Sequence, residues 1–235
     1  MSHFMSRRAQ AWLGTFVDVE AGAGDQATAD KAVVAAFDAI GEVHRAMSFH
    51  SNDSDLARLH AEAHKAPVSV SHHTWRVVLH ALAVAAASEG AFDPTIAPRL
   101  VSCGALPAPA GPIPSAEASW ADIQLFDDKR IAFRRALWLD LGGIAKGYAV
   151  DLAIRVLREW GATRGCVNAG GDLRVFGMET LHFPLSIRTP ASPHESIVLG
   201  TLANGAVASS GDYFPRDATN RMSPIVSPRR GLRPA

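Results

Sequence analysis

Between residues 137 and 151, LWLDLGGIAKGYAVD, an acid, two glycines and a lysine stand at Asp140, Gly142, Gly143 and Lys146. A short apolar run delivers the carboxylate, the glycines let the chain turn sharply, and the lysine opens an amphipathic helix. Backbone N–H groups at a helix start have no intrahelical partner, so this corner, with a cation beside it, suits anions and above all phosphates. By itself, a glycine pair with a lysine is equally a plain strand-to-helix turn.

A second group lies at residues 90–100, GAFDPTIAPRL, where Asp93 precedes Pro94 and Thr95. It admits two readings. One is a helix C-cap followed by an Asp-Pro turn. The other is a ligand loop, with Asp93 accepting from a ribose or ring N–H while Phe92 packs beside a flat ring. Glycine-punctuated turns recur at 167–177, VNAGGDLRVFG, and at 208–214, ASSGDYF. Each alone is ordinary turn chemistry.

Two further groups point elsewhere. His60 and His64 stand at i, i+4 spacing that could hold zinc, but Glu62 is not next to His60 and no third ligand is evident. Arg216, Arg221, Arg229, Arg230 and Arg233 read as a solvated tail rather than a polyanion contact.

Elements must position these groups. Residues 12–19 read as a first strand, followed by a turn over AGAGDQ. From 29 to 47, Ala32, Val33, Ala36, Phe37, Ile40, Val43 and Met47 recur at helical spacing and face a core. Ser51, Asn52, Asp53 and Ser54 can cap a short helix over 56–63, and 74–88 reads as a second buried helix. Residues 90–100 are loop-like and 107–114 form an excursion rich in proline. Residues 123–126 and 130–133 flank Asp127-Asp128-Lys129 as a hairpin, 137–141 read as a strand, and 146–160 as a helix facing inward through Ala149, Leu152, Ala153, Val156 and Trp160. Short strands follow at 165–168, 185–188, 197–202 and 206–209. Long helices with many short strands, not strictly alternating, imply an α+β fold with antiparallel or mixed sheets.

The bulk numbers agree with one domain over 1–235. Of 235 residues, 48% are hydrophobic, enough for a sizeable core, and 23 basic residues balance 23 acidic ones. Nothing in that balance calls for nucleic acid or an anionic membrane surface. No apolar run follows Arg7 and Arg8 as a secretory leader would, and no window is long enough to span a membrane, so the expected location is the cytoplasm. Cys103 and Cys166 are too few for a disulfide scaffold and read as buried thiols.

In order and spacing, these motifs resemble those of the ApbE family, the FAD:protein FMN transferases. DLGGIAKGYAVD resembles the family's central signature, GAFDPT its FAD-contacting loop, and AGGD and SGDYF its later turns. Trp12-Leu13-Gly14-Thr15 resembles a Met-Gly-Thr element, with Leu13 where a flavin-contacting methionine is usual, and MSFHSNDSDLARL resembles the segment whose aromatic residue, Phe49 here, lines the same pocket. The resemblance implies an ApbE-like (T-fold-like) architecture with two or three long helices. It also implies FAD as substrate, magnesium, and transfer of FMN to a Thr or Ser of an acceptor protein with release of AMP. By the same token Leu13, Phe49, Ala91, Phe92, Asp93, Asp140, Lys146 and Val226 would contact FAD, and the Gly143 carbonyl would ligate magnesium.

Residues 222–235, MSPIVSPRRGLRPA, resemble a motif of the type H-I-I-D-P-R-T-G-R-P, but Pro224 replaces the histidine and Ser227 the aspartate. Proline cannot act as acid or base. The family pattern continues into a segment carrying an aspartate and a threonine that complete the magnesium site, which this sequence does not reach. These departures raise an alternative, a catalytically silent FAD-binding homologue or a truncated inactive product. They leave the catalytic residues unassigned.

Overall fold

A computed structural model of the chain describes residues 4–179, 182–189, 192–211 and 226–228. The chain divides into two compact units, one comprising residues 1–44 and 146–214 and the other residues 45–145 and 215–235.

The first unit is built on a five-stranded antiparallel sheet in the order β1-β2-β6-β7-β10. Its strands are β1 (Phe4–Trp12), β2 (Thr15–Ala23), β6 (Arg164–Ala169), β7 (Asp172–Phe176) and β10 (Gly205–Ala208). The single strand expected over 12–19 is instead the junction of two. Trp12 pairs with Thr15, and Leu13 and Gly14 between them have φ of 55° and 72°. Two central residues with positive φ are what a two-residue type I′ hairpin requires, and its twist matches that of the flanking strands. The expected AGAGDQ turn shrinks for the same reason, because β2 runs on through Ala23. Asp25 then accepts from the Thr28 backbone N–H at 2.8 Å and caps helix α1 (Gln26–Met47).

One face of the sheet is packed by α1 and by α5 (Gly142–Glu159). Val17, Val19 and Ala21 of β2 meet Val33, Phe37 and Ile40 of α1 and Ala153 and Leu157 of α5 in a single buried cluster. This is the alternation of a strand buried on one side meeting the stripe of a helix. On the opposite face, Cys166, Leu173 and Val175 pack with Phe183, Leu185 and Leu202 of a ribbon made by β8 (Phe183–Thr189) and β9 (Ser192–Leu202). Of the inward face expected for α5, Ala149, Leu152 and Ala153 are buried, Val156 is half-buried, and Trp160, past the helix end, is 50% exposed, while Val150, Ile154 and Leu157 are also buried.

The second unit carries helices α2 (Asp55–Glu62), α3 (His72–Ala87) and α4 (Ala97–Ser102), with a three-stranded antiparallel sheet. That sheet runs β3-β5-β4, from β3 (Val68–Ser69), β5 (Arg130–Phe133) and β4 (Ile123–Leu125). Ser54 caps α2 and Ser71 caps α3, and the Asp55 carboxylate binds both the Ser71 N–H and the Thr74 hydroxyl, tying one helix start to the other. α3 is amphipathic rather than buried throughout, since Leu79 and Val84 face solvent. The loop expected over 90–100 turns helical from Ala97 onward, with Pro98 in the first turn where its missing N–H is harmless.

Candidate functional site

Leu137, Trp138, Leu139 and Leu141 are buried and Asp140 is half-buried, but the segment forms no strand. Leu137 and Leu139 are fully enclosed, so their backbone groups still need partners. The partners come from side chains and loops. The Leu139 N–H donates to His60 Nε2 at 3.0 Å, and the same ring nitrogen lies 3.1 Å from the Leu139 carbonyl. The Asp140 N–H donates to the Pro94 carbonyl at 2.8 Å. The apolar run was legible, but its lack of a neighbouring strand was not.

Asp140 closes this segment and α5 opens directly after it. The helix begins at Gly142, so the glycine pair forms its first turn rather than a turn ahead of it. The Gly142 N–H donates to Asp140 Oδ1 at 3.0 Å, while those of Ile144 and Ala145 return to the Leu141 carbonyl. The anion corner read from the sequence therefore already holds the chain's own carboxylate. Burial raises the Asp140 pKa above the ordinary carboxylate value, opposed by the Gly142 N–H and the nearby His50. Gly143 is exposed, and a Cβ there would approach the Phe92 ring edge to 3.2 Å. Phe92 and the head of α5 thus lie in van der Waals reach.

The loop that carries Phe92 satisfies both of its sequence readings locally. Glu89 and Gly90 end α3 in the left-handed region, at φ 52° and 76°. The Phe92 N–H then donates to Ser88 Oγ at 3.0 Å. Asp93 Oδ1 accepts from the Thr95 N–H at 2.8 Å and from its hydroxyl at 2.6 Å. One oxygen of Asp93 is therefore committed to shaping its own loop. Ala91 beside it is exposed.

On the other side of the segment, the Phe49 ring lies 5.3 Å from the His60 ring at a 56° tilt. Phe49, Phe92, Asp140 and Gly143, widely separated in sequence, are linked within the second unit through His60, Leu139 and Pro94. Val226 is described with Ser227 and Pro228 only, and that piece is held by Arg99 of α4 donating to the Ser227 carbonyl at 2.5 Å. Lys146 stands one turn beyond Gly143 on α5 and is grouped with the first unit, as is Leu13, which packs against the core of that unit. Pro224, residues 212–214 and the arginines at 216, 221, 229, 230 and 233 lie outside the described residues.

Sequence reading weighed His60 only as half of a zinc pair, whereas its ring is spent on Leu139. A usable signal was present. His60 shares the buried face of α2 with Leu56 and Leu59, and a polar ring on an apolar face must find a buried partner. Cys166 is buried as expected and its thiol is pushed up to about 12, chiefly by that burial, whereas Cys103 is only half-buried.

Among the described residues no three His, Cys, Asp or Glu side chains gather into a metal cluster. The one carboxylate shown at the head of α5 among the described residues is that of Asp140. That sparse, hard donor set suits a cation shared with phosphate and water, as magnesium usually is, rather than one caged by protein alone.

Comparison with known proteins gives first the class to which the fold belongs and then the family of the chain. The fold is that of the flavin transferases. The ApbE protein of Thermotoga maritima superposes with a TM-score of 0.73 at 26% identity, over 89% of this chain and 71% of that one. The flavin transferase ApbE of Vibrio cholerae superposes with a TM-score of 0.75 at 23% identity, over 90% and 73%. The chain belongs to the ApbE family, whose model matches residues 13–235. A FAD:protein FMN transferase of Vibrio cholerae is 30% identical over 206 residues, covering 81% of this chain and 61% of that protein. Another, from Salmonella typhimurium, is 28% identical, covering 79% and 58%. The chain thus spans about three fifths of the length of these curated relatives. No helix among the described residues is long and apolar enough to cross a membrane.

Proposed function

We propose that this chain binds FAD and transfers its FMN moiety to a Thr or Ser hydroxyl of an acceptor protein. The hydroxyl oxygen attacks the FMN phosphorus, the phosphoanhydride bond breaks, a phosphoester forms, and AMP leaves while the hydroxyl proton passes to solvent or a base. The observation that carries the reading is the assembly at the head of α5, where the Asp140 carboxylate, Gly143 and the Phe92 ring meet, in a chain of the ApbE family. Phe49 and Phe92 offer ring faces and edges to a flat heterocycle. Ala91 and Asp93 line the loop that presents Phe92, and Asp140 would orient the nucleotide. The Gly143 carbonyl would hold magnesium, which when bound neutralises charge on the diphosphate. The remaining task of the protein is alignment of a weak hydroxyl nucleophile with the phosphorus.

The test is incubation of the full chain with FAD, magnesium chloride and a peptide bearing a candidate acceptor threonine. Transfer is read as a peptide mass gain of one FMN with an equal amount of AMP. FAD binding with neither product would sink the transferase reading in favour of a silent flavin-binding homologue. Absence of FAD binding would sink both.

A further inference from the structure

The first-unit groove between Asp30, Val34 and Trp160 and the exposed apolar run at Ile197, Val198 and Leu199 show no chemistry that names an occupant. His60 does. We propose that His60 is a positioning residue for the flavin site, holding through one imidazole both Phe49 and the backbone that presents Asp140. The inference rests on the flavin reading above and deepens it.

His60 is 2% exposed and lies on α2, 79 residues before Leu139. Its Nε2 is within 3.1 Å of both backbone groups of Leu139, a fully buried residue in a segment that has no strand partner. A neutral imidazole nitrogen either accepts or donates, so it serves one of the two groups at a time. Burial pushes the ring down to about 4, which keeps it neutral and able to accept from the Leu139 N–H. The same ring packs against Phe49, with centroids 5.3 Å apart. Removing the ring leaves the buried Leu139 N–H without its acceptor, and the segment relaxes to find another. Asp140 is the next residue and moves with it, while Phe49 loses its support. Loss of a hydrogen bond to a charged group weakens a site roughly ten- to hundredfold.

The experiment measures FAD affinity by flavin fluorescence for the full chain, His60→Leu, His60→Gln, Asp140→Asn and the double variant His60→Leu/Asp140→Asn, with thermal melts beside each. His60→Leu is expected to weaken FAD binding roughly ten- to hundredfold. In the Asp140→Asn background the same change should weaken it clearly less, because the share that acts through Asp140 is already lost and only the share through Phe49 remains. A glutamine amide both donates and accepts, so His60→Gln is expected to bind within about fivefold of the parent. Folded His60→Leu protein that binds FAD as tightly as the parent overturns the proposal, as does full additivity with Asp140→Asn. Should His60→Leu fail to melt cooperatively, a folded His60→Gln variant decides. Loss beyond fivefold overturns the proposal, and retention upholds it. A parent that binds no FAD overturns the flavin reading itself, which is a separate result.

Discussion

Strand β2, buried along one face, and residues 137–141, mostly apolar and buried, satisfy their backbones in opposite ways. β2 exchanges hydrogen bonds with β1 on one side and β6 on the other, residue by residue from Val17 to Gly22. The 137–141 segment draws on one imidazole and one loop carbonyl. A ladder depends on backbone alone, so its hydrogen bonds survive most side-chain substitutions. A segment held by a side chain transmits any change in that side chain to its neighbours, here to Asp140. In this chain the backbone of the regular sheet is robust, and that of the candidate site hangs on named residues.

The comparison can be broken most severely where the sheet region has backbone packed on backbone. Gly177, at φ 67°, would place a Cβ 2.1 Å from the Thr163 carbonyl oxygen. Gly177→Ala is expected to destabilise the chain by about 4 kcal/mol, combining strain with overpacking, and urea unfolding should show it. A change below about 1 kcal/mol would mean that this edge yields freely.

The second effect belongs to the side-chain-held region and depends on pH. His60 titrates near 6.5 when unfolded and at about 4 when folded, because burial disfavours its charged form. Between those values the unfolded chain binds the extra proton. Stability from the neutral ring is therefore present above pH 6.5 and lost as pH falls toward about 4, by up to about 3 kcal/mol. His60→Gln should lose less on the same descent, as read by urea melts through the window. Equal losses in parent and variant would remove His60 as the source.

Smaller effects sharpen the contrast from the sheet side. In the β1–β2 turn, Gly14 sits at φ 72° with open space around it, so Gly14→Ala probes conformational strain with no clash. About 1 kcal/mol is expected from the melting temperature. Smallest of all, Arg7 and Asp18 pair across the same hairpin at 3.2 Å with both side chains well exposed. Arg7→Ala should change stability by less than about 0.5 kcal/mol, and by still less at high salt.

Much of this molecule can be read from local pattern. The apolar spacing of α1, the hairpin around Asp127-Asp128-Lys129 and the serine cap at Ser54 all appear where their residues imply. Local geometry also misled. Trp12-Leu13-Gly14-Thr15 looks continuous because leucine rarely accepts a positive φ, and the turn there is enforced by the register of two full strands. The candidate site was legible as motifs, Asp140 with Gly142 and Gly143 and Phe92 with Asp93, because each carries its own turn or ring chemistry, whereas Phe49 came only from the resemblance to the family.

The sequence by itself determined the family, the helices that bury a stripe and the chemical types gathered for an anion and a flat ring. These rest on short-range periodicity and on motifs whose order is one-dimensional. Only the tertiary structure decided that residues 137–141 lack a ladder, that Asp140 takes the Gly142 N–H at the head of α5, and that the Leu139 backbone meets His60. A buried extended run looks the same whether strands or a distant histidine satisfy it, since its own side chains answer to burial and its hydrogen bonds to whatever folds beside it.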